Sequence, residues 1–393
     1  MSEINFPIPY GRQEVTEADI EAVVAVLKHD YLTGGPRIAA FEEAFAAYVG
    51  ATYAVACSSG TAALHLCTLA LGVKPGDRYL TTPITFVASA NCVRYAGGSI
   101  ELVDIDPQTR IMDLDLLEEK LDQAPAGTYQ GIVAVDFAGH PVDMERVRAL
   151  ADIHDLRIIE DSCHSPGGFF TDSKGKQQSC GNGAYADLAI FSFHPVKHIA
   201  TGEGGMVTTN DEALYQRMIQ YRNHGITRDR DRLQHDHGGW YYEMQMLGYN
   251  YRLSDIQAAL GISQLARAGQ NIVKRRALAQ RYDEALASLP IVLPKSAQGH
   301  AYHLYVIETP HRKALYNYLR THKIYPQVHY IPIYYQPDYQ GLVEDASHFP
   351  RAEHYYQRCL SLPLYPTLTE QQQGFVIQTL STFFASNPEM PSQ

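Results

Sequence analysis

One segment joins an apolar run to a polar, glycine-rich stretch with a single lysine at its centre: Phe191-Ser192-Phe193-His194-Pro195-Val196-Lys197-His198-Ile199-Ala200-Thr201-Gly202-Glu203-Gly204-Gly205. A lysine amine is a nucleophile only when unprotonated, and burial lowers its pKa toward that state. A lone loop lysine is commonly a solvated charge. Here it follows an apolar strand, with Ser192 before it and glycines behind, which favours a buried, reactive amine. A second segment, Ile159-Glu160-Asp161-Ser162-Cys163-His164, puts Asp161 at the carboxyl end of a strand-like run. In open α/β sheets ligands gather beyond those ends, and a carboxylate there can pair with a cationic ring nitrogen. It can also cap a helix. A third, Cys57-Ser58-Ser59-Gly60-Thr61-Ala62-Ala63-Leu64, reads as strand, small-residue turn and helix start. Helix N-termini expose free N–H groups that suit a phosphate, although Ser-Gly-Thr serves equally as a plain cap. A fourth, Gly248-Tyr249-Asn250-Tyr251-Arg252-Leu253-Ser254-Asp255, sets polar residues before a helix. Asn250 and Arg252 there could meet a phosphate or a partner subunit.

These residues need a frame that brings strand ends together. Short apolar runs at 53–57, 78–82, 99–103, 131–135, 156–160, 188–193 and 204–209 alternate with helical patterns near 61–71, 86–95, 115–122, 143–153 and 211–223. Such alternation predicts an α/β fold with a mostly parallel sheet covered on both faces. The last two runs have no helix between them, so one is a candidate antiparallel strand. Thr16-Glu17-Ala18-Asp19 has the form of a capping box that opens a helix to about Lys28, and 36–49 reads as a second helix. Residues 223–250 read as a long loop. An unbroken helical pattern over 254–289 predicts a connector between a large domain, 1–253 with an N-terminal arm, and a small α+β domain, 290–393. Strand-like 302–307 and helices near 311–321 and 369–385 fall in the latter.

Composition narrows the class. The chain has 393 residues, 45% hydrophobic and 19% charged, ordinary for a soluble globular protein. The net charge of −11 without a basic run weighs against nucleic acid and anionic membranes. No apolar run reaches the length of a membrane span, and the first residues lack the pattern of a signal peptide. The six cysteines (57, 67, 92, 163, 180, 359) form no CxxC pair. They read as reduced thiols of a cytoplasmic protein, and no metal site is expected. The 27 tyrosines suit sugar or subunit contacts as well as packing.

Taken in order, SSGTAAL, TPITFVASAN, VDFAGHPVD, EDSCHS, FSFHPVKHIATGEGG and GYNYRLSDIQAALG resemble the DegT/DnrJ/EryC1/StrS family of sugar aminotransferases. The resemblance runs from YLTGGP (31–36) to LSLPLYPTLTEQQ (360–372). It implies a fold type I transferase dependent on pyridoxal 5′-phosphate (PLP), with a seven-stranded large-domain sheet and a homodimer whose active sites are shared. By motif, Lys197 matches the Schiff-base lysine and proton shuttle, and Asp161 the carboxylate facing the pyridinium nitrogen. Phe86 matches the aromatic stacked on the ring. Gly60, Thr61 and Ser192 match the phosphate cradle, and Asn250 a phosphate ligand from the other subunit. His164 falls near the cofactor's 3-oxygen, where many relatives have Gln. Relatives that became dehydratases carry His in place of the lysine, so Lys197 argues for transamination.

Within the family, QVHYIPIYYQPDY (327–339) and the His of EDSCHS carry a narrower resemblance, to the transaminases of pseudaminic acid biosynthesis. It implies L-glutamate as amino donor and a UDP-linked 4-keto-6-deoxy sugar as acceptor. His329 and Tyr330 are then candidates for the sugar pocket, with small-domain packing as the other reading. Arg228, Arg230 and Lys323 are candidates for the diphosphate. A nucleotide-sugar oxidoreductase using NAD is disfavoured, because no GxGxxG follows the first strand. A PLP-binding regulator without turnover is the non-enzymatic rival.

Overall fold

The computed structural model describes residues 7–341 and 344–386. The outer ends of the expected domain ranges, 1–6 and 387–393, lie outside the described residues. Seven strands form one sheet in the order Tyr53–Cys57, Gly205–Thr209, Leu188–Ser192, Arg157–Asp161, Gly131–Val135, Arg78–Thr81 and Ser99–Leu102. Gly205–Thr209 runs antiparallel to both of its neighbours, and the remaining pairings are parallel. The strands are almost wholly buried runs such as GIVAV and LAIFS, as a sheet covered on both faces requires. Six strands therefore share one carboxyl edge, and Cys57, Asp161 and Ser192 each end a strand on it.

Both faces are closed by helices. On one side Phe41 and Phe45 of helix Pro36–Val49 meet Phe191 and Phe193, with ring centroids 4.8–5.4 Å apart across the contact. Edge and tilted ring packing of this kind fixes the strand that leads to Lys197. A separate apolar cluster joins Tyr282, Tyr305, Leu315, Leu360 and Phe383 in the C-terminal region. It is built on the antiparallel pair Tyr305–Glu308 and Cys359–Leu362.

Three expectations are corrected. The 254–289 pattern is two helices, Asp255–Leu265 and Ala268–Leu286. The break falls at Arg267, which turns back to the first helix: its half-buried guanidinium lies 2.6 Å from Oδ2 of the fully buried Asp19. Burial by itself would raise the Asp19 carboxyl, but the Arg267 guanidinium, Ser263 and the Thr16 amide outweigh it and hold the group down at about 2. The expected strand at 302–307 begins only at Tyr305. Ala301 and Leu304 instead donate their amides to Gly139 and Ala138 of the large unit, and Tyr302 has φ 47°. Ile8–Pro9, expected with the large domain, pairs with Ile324–Tyr325 of the C-terminal region, where Ile8 is fully buried. The 223–250 segment also carries a short antiparallel pair, Ile226–Thr227 with Glu243–Met244. The seam between the regions is held by Arg275, whose buried guanidinium donates to the carbonyls of Tyr302 (3.1 Å) and Leu364 (3.0 Å).

Candidate active site

The carboxyl edge of the sheet opens on a cavity of about 760 Å³. Gly60, Thr61, Phe86, Asp161, His164, Ser192, Lys197, His329 and Tyr330 all line it. Residues more than 250 positions apart in sequence thus converge on one space, which is the default place for chemistry in such a fold.

At one end, Ser59 caps helix Gly60–Leu71 and accepts from the Ala62 amide at 3.1 Å. The first amides of that helix, from Gly60 and Thr61, have no partner within the helix itself. Ser192 ends its strand directly against this turn. A Cβ at Gly60 would lie 2.9 Å from the Ser192 Cβ, so only glycine allows the approach. The result is a small concave group of N–H and O–H donors at a helix N-terminus, the chemistry that binds a phosphate.

At the floor, Asp161 is buried and both of its oxygens accept. Oδ2 takes the Ser89 hydroxyl at 2.6 Å and Oδ1 the Cys163 amide at 3.1 Å. Ser89 is itself paired with Thr85 at 2.9 Å. These donors hold the carboxylate in one orientation facing the cavity. Lys197 lies half-buried beside it. Burial lowers the Lys197 pKa from the usual lysine value, while Cys163 and Asp161 pull it back up. Phe86 forms the wall, 56% exposed although it lies in a cavity, so one ring face is free to cover a flat ligand.

The opposite wall comes from the C-terminal region. His329 Nδ1 pairs with Ser361 Oγ at 2.8 Å, and the Tyr355 hydroxyl donates to the His329 carbonyl at 2.7 Å. Burial and the Lys197 charge push the His329 pKa down to about 3, so it is neutral at physiological pH. His164 is also held neutral, first by burial and then by Lys197, His329 and His198. Its tautomer, open in the sequence, is set here: Nδ1 accepts from the Ala138 amide at 3.2 Å, so the proton sits on Nε2. That Nε2 lies 3.1 Å from the Tyr330 hydroxyl.

Asn250 does not line this cavity; it is exposed and bridged to Asn223. Arg228, Arg230 and Lys323 are likewise exposed and outside it. Ser89, Cys163, Tyr10 and Gln327 are among the lining residues to which the sequence assigned no role. Ser89 stands in TPITFVASAN, one helical turn beyond Phe86, and that spacing was its available signal. Tyr10 follows Ile8–Pro9, a strand too short to show a period.

Residues 13–381 match the DegT/DnrJ/EryC1/StrS aminotransferase family. The chain belongs to that family. The aminotransferase is 35% identical over 381 residues to the UDP-4-amino-4,6-dideoxy-N-acetyl-beta-L-altrosamine transaminase of Campylobacter jejuni, covering 95% of this chain and 96% of that one. Its fold matches Helicobacter pylori PseC, an aminotransferase involved in pseudaminic acid biosynthesis, with a TM-score of 0.85, 32% identity and coverage of 96% and 99%. It also matches Streptococcus pneumoniae Spr1654, solved with its cofactor in the PMP form, with a TM-score of 0.88, 28% identity and coverage of 96% and 99%. The protein is a PLP-dependent sugar aminotransferase.

The aminotransferase's residues fit that cofactor. The Gly60–Ser192 approach leaves a donor cradle that a Cβ would fill, Asp161 offers a fixed carboxylate, and Lys197 is the one lysine or arginine lining the cavity among the described residues. Gly60, Thr61 and Ser192 would hold the phosphate, Asp161 the ring nitrogen, Phe86 the ring face and Lys197 the aldehyde carbon. When bound, PLP supplies an electron sink for the carbon that loses its proton. The chain's own task is then proton transfer. Lys197, with its pKa lowered by burial, would take and return that proton at its Nζ, and the fixed Asp161 carboxylate would keep the site's polarity constant throughout.

Proposed function

We propose that the aminotransferase moves an amino group from L-glutamate to C4 of UDP-2-acetamido-2,6-dideoxy-β-L-arabino-hex-4-ulose, giving UDP-4-amino-4,6-dideoxy-N-acetyl-β-L-altrosamine in pseudaminic acid biosynthesis. The observation that carries this reading is the composition of the cavity's second wall. Tyr10, Gln327, His329 and Tyr330 present neutral, partly aromatic donors and acceptors opposite Lys197. Such a wall suits a hydroxylated ring better than a second carboxylate, for which an arginine fork would be the usual partner. The name of the C. jejuni relative and its match across nearly the whole chain support the same substrate.

The diphosphate is a separate demand. Lys197 is committed to chemistry, and no arginine lines the cavity among the described residues. A homodimer with shared sites answers this. Asn250 is exposed on the segment that also carries Arg228 and Arg230, and all three would reach a partner's cavity rather than their own. No helix among the described residues is long and apolar enough to cross a membrane, in keeping with an enzyme acting on cytoplasmic nucleotide sugars.

The test is product mass spectrometry with a panel of 4-keto and 3-keto nucleotide sugars and glutamate. The expected outcome is an amine in place of the keto oxygen on the UDP-linked 4-keto-6-deoxy-N-acetyl sugar, at a rate at least ~10-fold above any 3-keto or dTDP-linked member, the size of one well-placed contact. Amination confined to a 3-keto sugar would overturn the assignment.

A further inference from the structure

The hydrogen bonds at the far wall have a fixed direction. A backbone amide can only donate, so Ala138 N–H makes His164 Nδ1 an acceptor. Ala138 holds this aim with φ 59°, a left-handed conformation that a non-glycine residue adopts only where its surroundings enforce it. The amides of Ala301 and Leu304 lock the same turn through the Gly139 and Ala138 carbonyls. A neutral His164 accepting at Nδ1 carries its one proton on Nε2 and donates it to the Tyr330 hydroxyl oxygen, 3.1 Å away. Burial raises the Tyr330 pKa above its usual value, so the phenol keeps its own proton. Among the described residues no acceptor takes that proton, and Tyr330 lines the cavity. Its free donor therefore faces the ligand.

The chemistry of the proposed substrate selects the acceptor. The reacting carbon must come within reach of Lys197, whose charge is felt at His164. In the proposed sugar the reacting C4 is flanked by C3, which carries the only free hydroxyl of the ring. The keto oxygen leaves as water and has a counterpart in the keto acid of the other half-reaction, so a contact to it would serve both substrates alike. Glutamate has no hydroxyl beside its reacting carbon, which is flanked by a methylene and a carboxylate. We propose that Tyr330 is a specificity-determining donor to the C3 hydroxyl oxygen of the keto sugar, and that His164 is a positioning residue that transmits the direction set by the Ala138 amide. This rests on the sugar assignment above.

The two half-reactions separate the idea from a structural role. Each is followed in single turnover by the cofactor's absorbance, once with glutamate and once with the keto sugar. Tyr330→Phe is expected to lower kcat/KM for the sugar about tenfold more than for glutamate, the loss of one hydrogen bond at a buried site. The wild-type enzyme is expected to lose about tenfold on a 3-deoxy analogue of the sugar, and Tyr330→Phe to treat the two sugars alike, as coupled partners do in a double-mutant cycle. His164→Gln, which keeps a donor toward Tyr330, should retain more of the discrimination than His164→Leu. Tyr330→Phe still preferring the 3-hydroxy sugar tenfold would overturn the inference. So would a wild-type enzyme that uses the 3-deoxy sugar equally well, a measurement that needs no variant. A wild-type enzyme that aminates no 4-keto sugar would instead remove the functional assignment and leave the hydrogen-bond direction standing.

Discussion

Lys197→Ala lowers turnover by ~10⁴-fold, about 5 kcal/mol of transition-state stabilisation, because the site loses both its nucleophile and its proton carrier. The fold is expected to survive. Lys197 contributes to none of the apolar clusters, and its neighbours Ile199 and Phe193 are anchored on the other side of the strand by Phe41 and Phe45. Asp161 keeps both of its donors, Ser89 and Cys163, without the lysine. The nearby histidines change little. Removing a cation raises their pKa values, but burial is the first cause of depression at His164, His198, His303 and His329, so they stay neutral near pH 7. An added primary amine should restore part of the rate, since a small diffusible base can occupy the space left by the side chain. Steady-state kcat with and without such an amine checks both statements. Turnover at the wild-type rate would end the role assigned to Lys197.

Asp161→Asn is the second large effect. The amide can keep its oxygen toward the Cys163 amide, which can only donate, and turn its NH₂ toward Ser89, whose hydroxyl can reverse to accept. The site therefore stays assembled while the fixed negative charge disappears. A neutral partner no longer favours a protonated ring nitrogen, and the electron sink weakens. Turnover should fall by roughly 100- to 1000-fold, as when one preorganised electrostatic partner is removed. Cofactor content should stay near that of the wild type, because Gly60, Thr61, Ser192 and Lys197 are untouched. The measurement is kcat set beside cofactor stoichiometry. A variant with normal content and undiminished turnover would remove the ring-nitrogen role.

The parts of this site that are legible in sequence are those built from one local pattern. A strand that ends on Asp161, a strand that ends on Ser192, and a turn that opens a helix at Gly60 each announce themselves over a few residues, and the shared carboxyl edge then brings them together. The antiparallel Gly205–Thr209 strand is readable from the missing helix before it. The remainder is set by distant contacts. The helix break at Arg267 depends on Asp19, 248 positions away, and nothing in Ala266-Arg267-Ala268 disfavours a helix by itself. The late start of the 305–308 strand depends on a turn at 137–139 that captures Ala301 and Leu304. Ser89 becomes the partner of Asp161 only because helix Ala88–Tyr95 enters over the strand end. His164 was visible as a candidate, but its proton was not, since that follows from one backbone amide aimed by a left-handed residue. Asn250 lies outside the cavity of its own chain, so its assigned role depends on a second subunit.

Everything assigned to this site depends on Lys197 being the amine that holds the cofactor. Borohydride reduction fixes the cofactor permanently to whichever amine carries it, and peptide mass spectrometry of the reduced, digested holoenzyme then locates it. The added mass is expected on the peptide containing Lys197, and is expected to be absent after prior treatment with glutamate. Labelling of another lysine, or no labelling of a protein that contains the cofactor, would contradict it.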